Sequence, residues 1–172
     1  MIKMLRVLFD TNIYGLLIDE PDAGEIQRKI RQEKDFIVYG YAPIRKEIRD
    51  IPKITKLSRK ARIQLLNIYD RIVGKHILEH SLKITYLAKK YFSQYRNLGG
   101  TYGWDTSIRV DFMIVACASY YGLDIVYSAD KKTLLGKKAK KAYQHINIHE
   151  NLRTPYFLEY SDLMHKFKNH NL

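Results

Sequence analysis

Four carboxylates stand where a parallel β-sheet would bring them together. Asp10 and Asp130 each end an apolar, strand-like run, and Glu47 and Asp111 each lie about one turn into a predicted helix. Helical side chains tilt toward the N-terminus, so Glu47 can point back to the strand end that precedes its helix. Sites in open α/β sheets lie outside the carboxyl ends of the strands. We therefore predict one acidic site made of Asp10, Glu47, Asp111 and Asp130.

Such a group of carboxylates repels itself unless a cation neutralises it. Mg²⁺ and Mn²⁺ suit oxygen ligands and keep bound waters that can face a phosphate. Asp111 opens the most apolar helical pattern in the chain, where an unpaired charge is costly to bury. The chemistry indicated is metal-assisted phosphodiester hydrolysis with one or two ions, in which all four carboxylates are ligands and position or activate water. Asn12 and Ser128 are predicted supporting polar residues.

The elements that must position these residues alternate between strand and helix. Apolar runs at 6–9, 36–39 and 123–128 read as strands, with helical patterns between them. This alternation predicts an α/β fold with a parallel sheet and right-handed crossovers. A weak strand is predicted near 146–148. At 172 residues, we expect a single domain over residues 1–172.

The positive charge of the chain is concentrated in one segment. Lys and Arg total 30 against 18 Asp and Glu, a net charge of +12 with a pI near 9.6. Residues 53–96 hold 11 basic and two acidic residues, a net charge of +9. The pattern is helical from 55 to 96 with a turn at Gly74, so we predict a basic helical hairpin inserted at about 53–98. Plain surface charge is the alternative interpretation.

A polyanion is the partner that this charge favours. Tyr86, Tyr91 and Tyr95 interleave with basic residues, a mixture that suits stacking and phosphate contacts with single-stranded or structured RNA, although core packing also explains tyrosines. The predicted RNA-binding residues are Lys83, Lys89, Lys90 and Arg96.

Other motifs are weaker. The sequence has neither a GxxxxGK[ST] phosphate loop nor GxGxxG. His76 and His80 are four residues apart and could share a metal ion, but a third metal ligand is not evident. Cys117 lies in an apolar run and is interpreted as a core thiol. Asp105 is either a helix cap or a supplementary acid. No run is long enough for a membrane span and no signal peptide is evident, so we expect a cytoplasmic protein without membrane contact.

With these residues in view, the chain resembles the PIN-domain family. Four short motifs occur in the family's order and at its spacing. They are Asp10-Thr11-Asn12 after the first strand, the helix Pro43–Ile48 with Glu47, the run Asp111–Ala118 followed by Gly122-Leu123, and Ser128-Ala129-Asp130. Together they span residues 5–135.

The resemblance implies a three-layer α/β/α sandwich with a parallel sheet of about five strands. It implies Mg²⁺- or Mn²⁺-dependent endoribonuclease activity on single-stranded RNA, often as a homodimer. Many small relatives are VapC-like toxins neutralised by an antitoxin protein. The long basic segment before Asp111 favours an RNA-processing role instead, so both roles stay open. A non-catalytic RNA-binding module is the alternative function. A haloacid-dehalogenase-type enzyme is disfavoured, because Asn12 stands where that class needs an acid.

Overall fold

A five-stranded, fully parallel β-sheet forms the centre of the computed structural model, which describes residues 3–50 and 59–168. The strands are β1 (Leu5–Phe9), β2 (Phe36–Tyr41), β3 (Ile77–Leu78), β4 (Ile125–Tyr127) and β5 (Tyr156–Leu158). Their order across the sheet is β3-β2-β1-β4-β5. Chain progression reverses between β1 and β4, which pair with Phe9 opposite Tyr127. This is the topological switch point, where α/β sheets carry their sites.

Eight helices cover the sheet within the described residues. They are α1 (Thr11–Ile18), α2 (Ala23–Gln32), α3 (Ala42–Arg49), α4 (Arg59–Val73), α5 (Leu82–Asn97), α6 (Ile108–Tyr120), α7 (Lys137–His149) and α8 (Tyr160–Lys168). None of them is long and apolar enough to cross a lipid bilayer.

Successive side chains of each strand point to opposite faces of the sheet, and a layer of helices packs on each face. On one face, Phe9 packs on Tyr14 of α1, and Tyr14 packs on Tyr69 of α4. On the other face, Phe157 packs on Tyr143 of α7, and α5 packs against both α6 and α7. The predicted three-layer α/β/α sandwich with five parallel strands is therefore confirmed.

The predicted helical hairpin is wrong in its central part. Ile77 and Leu78 form a short edge strand that pairs with Gly40 and Tyr41 of β2, although the apolar spacing of this segment suggested a helix. Because β3 intervenes, α4 and α5 lie on opposite faces of the sheet. They are parts of the two helical layers. Residues 53–58 of the predicted insertion lie outside the described residues.

The predicted weak strand near 146–148 is also wrong, because these residues belong to α7. The last strand is β5, which follows Pro155. Tyr156 is 75% exposed, so β5 shows little of the hydrophobic pattern of a buried strand.

A close contact at the end of β2 fixes the start of α3. The hydroxyl of Tyr69 accepts a 2.9 Å hydrogen bond from Tyr41 N. A Cβ atom at Gly40 would lie 2.5 Å from that hydroxyl, so only glycine leaves room for it. The contact holds α4 against the turn that leads to Glu47.

Candidate acidic site

The carboxyl ends of β1 and β4 are joined through Asp10, which is 3% exposed. Its Oδ1 accepts a 2.7 Å hydrogen bond from Thr11 N, which caps α1. Its Oδ2 accepts a 2.7 Å hydrogen bond from Ser128 Oγ, and Ser128 Oγ accepts one of 3.0 Å from Asp130 N. One serine thus links two of the predicted acids across the switch point.

Asn12 holds the loop after β4. Its Oδ1 accepts a 3.1 Å hydrogen bond from Ala129 N. Asn12 and Ser128 are therefore both engaged in positioning the segment that carries Asp130.

Thr133 contacts two of the carboxylates at once. Its hydroxyl lies within hydrogen-bonding distance of Asp111 Oδ2 and Asp130 Oδ2. A hydroxyl has one proton, so it donates to only one of them at a time. Asp130 Oδ1 also accepts 2.9 Å hydrogen bonds from the backbone N–H groups of Lys132 and Thr133. The turn after β4 is thus organised around Asp130 and fixes Asp111 through Thr133.

All four predicted carboxylates line one cavity of about 310 Å³ at this edge of the sheet. Ile18, Ile48 and Leu65 supply part of its apolar wall. Asp105 is exposed and does not line the cavity. Asp105 is also not the helix cap, because Ser107 occupies the N-cap position of α6; Ser107 lines the cavity.

Burial and repulsion from neighbouring carboxylates raise the pKa of Asp10, Glu47 and Asp111. The pKa of Asp111 is raised to about 8, first by burial and then by the charge of Asp10, while Thr133 opposes the rise. Burial, followed by the charge of Asp10, raises the pKa of Glu47. Burial also raises the pKa of Asp10, and its hydrogen bond from Ser128 acts in the opposite direction.

No Lys, Arg or His side chain in residues 3–50 and 59–168 forms an ion pair with any of the four carboxylates. Thr11 Oγ1 is buried at the cavity, and no hydrogen bond to it meets the distance and angle criteria within the described residues. It nevertheless lies close to Glu47 and favours the charged form of that carboxylate. An unneutralised set of oxygen donors is the chemistry that fits a divalent cation. Within the described ranges, however, no three His, Cys, Asp or Glu side chains are already arranged to hold a metal ion.

The predicted RNA-binding residues do not form one cluster. Lys90 is ion-paired with Glu150 and lies 4.6 Å from the ring centroid of Tyr86. Lys83, Lys89 and Arg96 are exposed, but Lys83 and Arg96 stand near opposite ends of α5, about 20 Å apart along its axis.

Two of the three interleaved tyrosines are core residues. Tyr91 is buried and donates a 2.5 Å hydrogen bond to Asn147 Oδ1, and Tyr95 is also buried. Tyr86 is 58% exposed. The core-packing interpretation therefore holds for Tyr91 and Tyr95.

Thr133 and Thr11 belong to the site but were not among the residues predicted from the sequence. An aspartate at a turn or helix start accepts backbone N–H groups two or three residues on, so the spacing from Asp130 to Thr133 was the available signal. Thr11 lies in the Asp10-Thr11-Asn12 motif, in which only Asp10 and Asn12 are predicted site residues. His80 is exposed, but both of its ring nitrogens are engaged, by the hydroxyls of Tyr41 and Thr85.

Two solved structures are similar to this chain in fold. One is VapBC2 from Rickettsia felis bound to a DNA fragment from its promoter, with 12% identity, a TM-score of 0.57, and coverage of 90% of this chain and 98% of that one. The other is VapBC-1 from nontypeable Haemophilus influenzae, with 13% identity, a TM-score of 0.57, and coverage of 91% and 99%.

No family model and no curated protein matches the sequence. The fold is nevertheless shared along nearly the whole length of both structures. The chain therefore has the VapC-like PIN-domain fold.

Proposed function

We propose that this protein is a Mg²⁺- or Mn²⁺-dependent endoribonuclease that hydrolyses phosphodiester bonds of single-stranded RNA. One observation carries the proposal: Asp10, Glu47, Asp111 and Asp130 surround a single cavity at the switch point without an ion-paired cation among the described residues. Unpaired buried carboxylates destabilise a fold, so their assembly is explained by a bound cation.

The four carboxylates would hold the cation. When bound, a divalent ion supplies a water of lowered pKa and neutralises charge on the phosphate. Thr133 holds Asp111 and Asp130, and Ser128 holds Asp10. Each carboxylate keeps further lone pairs, so these hydrogen bonds can persist while the carboxylates act as ligands. The hydroxyls of Ser128 and Thr133 therefore orient these three carboxylates before a cation binds.

Glu47 has the properties of a group that orients the attacking water and accepts its proton. It is half-buried, and among residues 3–50 and 59–168 no group other than the nearby Thr11 hydroxyl is placed to bond its carboxylate. Burial raises its pKa, which makes it a better proton acceptor than an ordinary carboxylate. We assign Glu47 to orienting this water and receiving its proton.

The fold neighbours support a proposal for the biological setting. Both are VapBC complexes, so we propose an antitoxin protein as a partner of this chain and toxin activity as its role. RNA processing remains the second role under the same chemistry. We also propose that the protein forms a homodimer and acts in the cytoplasm, where its RNA substrate would be present.

The test is cleavage of a labelled single-stranded RNA by purified protein with Mn²⁺ or Mg²⁺, with EDTA, and by Asp10→Asn and Asp111→Asn. We expect cleavage to stop in EDTA and to fall by roughly 10²–10⁴ in each variant, because each loses a charged ligand. Lys34→Ala, an exposed change, is the matched control. Circular dichroism should show an intact fold in all three variants.

Two outcomes would refute the proposal. Cleavage that survives both EDTA and the two substitutions would exclude this site as its source. RNA binding without cleavage under any metal condition would instead support the non-catalytic alternative.

A further inference from the structure

A second cavity, of about 650 Å³, adjoins the acidic one. It lies between α3 and α6, and Glu47 lines both cavities. Its volume falls within the range of specific ligand sites. We call it the α3–α6 groove; its lining is Ala42, Pro43, Arg45, Lys46, Glu47, Arg49, Asp50, His80, Arg109, Val110 and Met113.

Two cations of the groove have no ion-pair partner in the part of the chain that the structure describes. Arg45 is engaged by Asp70 in a bidentate pair at 3.0 Å, and Arg49 pairs with Asp50. Lys46 and Arg109 are exposed, and no described ion pair includes them. They stand one residue from Glu47 and two residues from Asp111 in sequence. The groove thus presents uncommitted positive charge directly beside the acidic cavity.

The groove also presents a fixed aromatic ring. The hydroxyl of Tyr41 lies 2.7 Å from His80 Nδ1, and Thr85 Oγ1 lies 2.9 Å from His80 Nε2. Both edges of the imidazole are therefore held, while the residue is exposed to the groove. Val110 and Met113 are half-buried and make part of the surrounding surface apolar. A restrained, exposed ring suits stacking of a nucleobase.

We infer that the α3–α6 groove binds the RNA strand next to the scissile phosphate, with Lys46 and Arg109 contacting backbone phosphates and His80 stacking on a base. This inference rests on the proposed function for the position of the scissile bond. Alternating negative phosphates and flat bases match the groove's combination of cations and an aromatic ring. Lys46 and Arg109 are positioning residues, since they act on the strand beside the reacting phosphate.

The test is binding of a fluorescent single-stranded oligoribonucleotide in EDTA, measured by anisotropy over a series of salt concentrations. Lys46→Ala/Arg109→Ala should weaken binding at least tenfold and reduce the salt slope by about 1.4, since each phosphate contact contributes ~0.7 on single strands. Arg31→Ala/Lys34→Ala is the matched control. It removes the same charge from exposed residues that precede β2. These residues lie at the amino end of that strand, whereas the site lies at the carboxyl ends, so the slope should not change.

A second pair of variants tests the stacking. His80→Ala should weaken binding by roughly 5- to 100-fold, and His80→Phe should restore most of the loss, because an aromatic ring stacks with or without ring nitrogens. If both variants are equally weak, the ring is not a stacking surface. Melting temperatures measured alongside show whether either variant is unfolded.

The outcomes separate this inference from the proposed function. If Lys46→Ala/Arg109→Ala binds RNA like the control pair while the wild-type protein cleaves RNA, the groove inference is overturned and the nuclease stands. If the groove variants lose binding but the wild-type protein never cleaves, the groove stands and the nuclease fails. An equal salt slope in all variants, or binding of an acidic peptide in place of RNA, would assign the groove to another partner.

Discussion

Ser128 Oγ donates a 2.7 Å hydrogen bond to Asp10 Oδ2 across the boundary between β4 and β1. Both residues are buried, and the same hydroxyl accepts the backbone N–H of Asp130. A single side chain therefore sets the relative position of two carboxylates that are 120 residues apart in sequence.

Ser128→Ala should reduce both stability and activity. It removes the donor to a buried carboxylate, and we expect a loss of about 1–3 kcal/mol in the free energy of unfolding. Cleavage should fall by roughly 10- to 100-fold, because Asp10 loses its orientation. Urea unfolding and a cleavage assay measure the two effects. Ser128→Thr keeps the hydroxyl and should retain most activity; equal loss in Ser128→Thr and Ser128→Ala would argue against a role for this hydrogen bond.

Thr133→Val should raise the metal concentration needed for half-maximal cleavage by roughly 10- to 100-fold, since groups that orient metal ligands contribute this much. The substitution keeps the shape of the side chain but removes the hydroxyl between Asp111 and Asp130. Titration of activity with Mn²⁺ measures the effect. Thr133→Ser is the control. An unchanged Mn²⁺ requirement in Thr133→Val would limit Thr133 to packing.

The stability of the metal-free protein should fall as the pH rises from about 4 toward 8. Burial raises the pKa of Asp111 to about 8 in the folded state, whereas an unfolded aspartate has a pKa near 3.9. The unfolded chain releases this proton first, so the contribution is full below pH 4 and lost above about 8. Its upper limit is ~6 kcal/mol by linkage.

Urea unfolding of the wild-type protein and Asp111→Asn in EDTA, at pH 5 and pH 8, measures this contribution. The wild-type protein should lose more stability than the variant between the two pH values. Mn²⁺ at pH 8 should raise the melting temperature of the wild-type protein more than that of the variant. Identical pH dependence in both proteins would show that Asp111 titrates normally.

Lys90 and Arg96 should differ in RNA binding, although the sequence places them in the same basic segment. Lys90 is held by Glu150, so Lys90→Ala should leave the salt slope unchanged. Arg96 is exposed without a described ion pair, and Arg96→Ala should reduce the slope by about 0.7 if it contacts one phosphate. Anisotropy titrations with single-stranded RNA measure both slopes. A reduced slope in Lys90→Ala would mean that its ion pair opens on binding.

The sequence by itself determined the central strands and the acids. Buried strands of a parallel sheet are continuous apolar runs, so β1 and β4 and the acids that follow them were recognisable. A helix such as α6 is identified by its apolar composition, and a charge at its start is conspicuous. The alternation of strands and helices then predicted a parallel sheet, because each parallel strand needs a crossover. The family resemblance implied the layered sandwich.

Only the tertiary structure decided how the basic segment is divided. Two residues are enough for an edge strand when a neighbouring backbone supplies the hydrogen bonds, and Ile77 and Leu78 carry no local signal of that pairing. That strand sends α4 and α5 to opposite faces. Likewise, Lys90 could not be known to face Glu150, 60 residues away, since a long-range ion pair leaves no periodicity in the sequence.

For the same reason, the positions of the acids were predictable from the sequence, whereas the positions of the groups around them were not. Carboxylates at strand ends are fixed by backbone topology, which the sequence pattern encodes. The hydroxyl of Thr133 between two acids, and the groove that His80 and Arg109 line beside Glu47, depend on side-chain packing between distant elements. Local sequence determined which groups are present, whereas three-dimensional packing decided which of them meet.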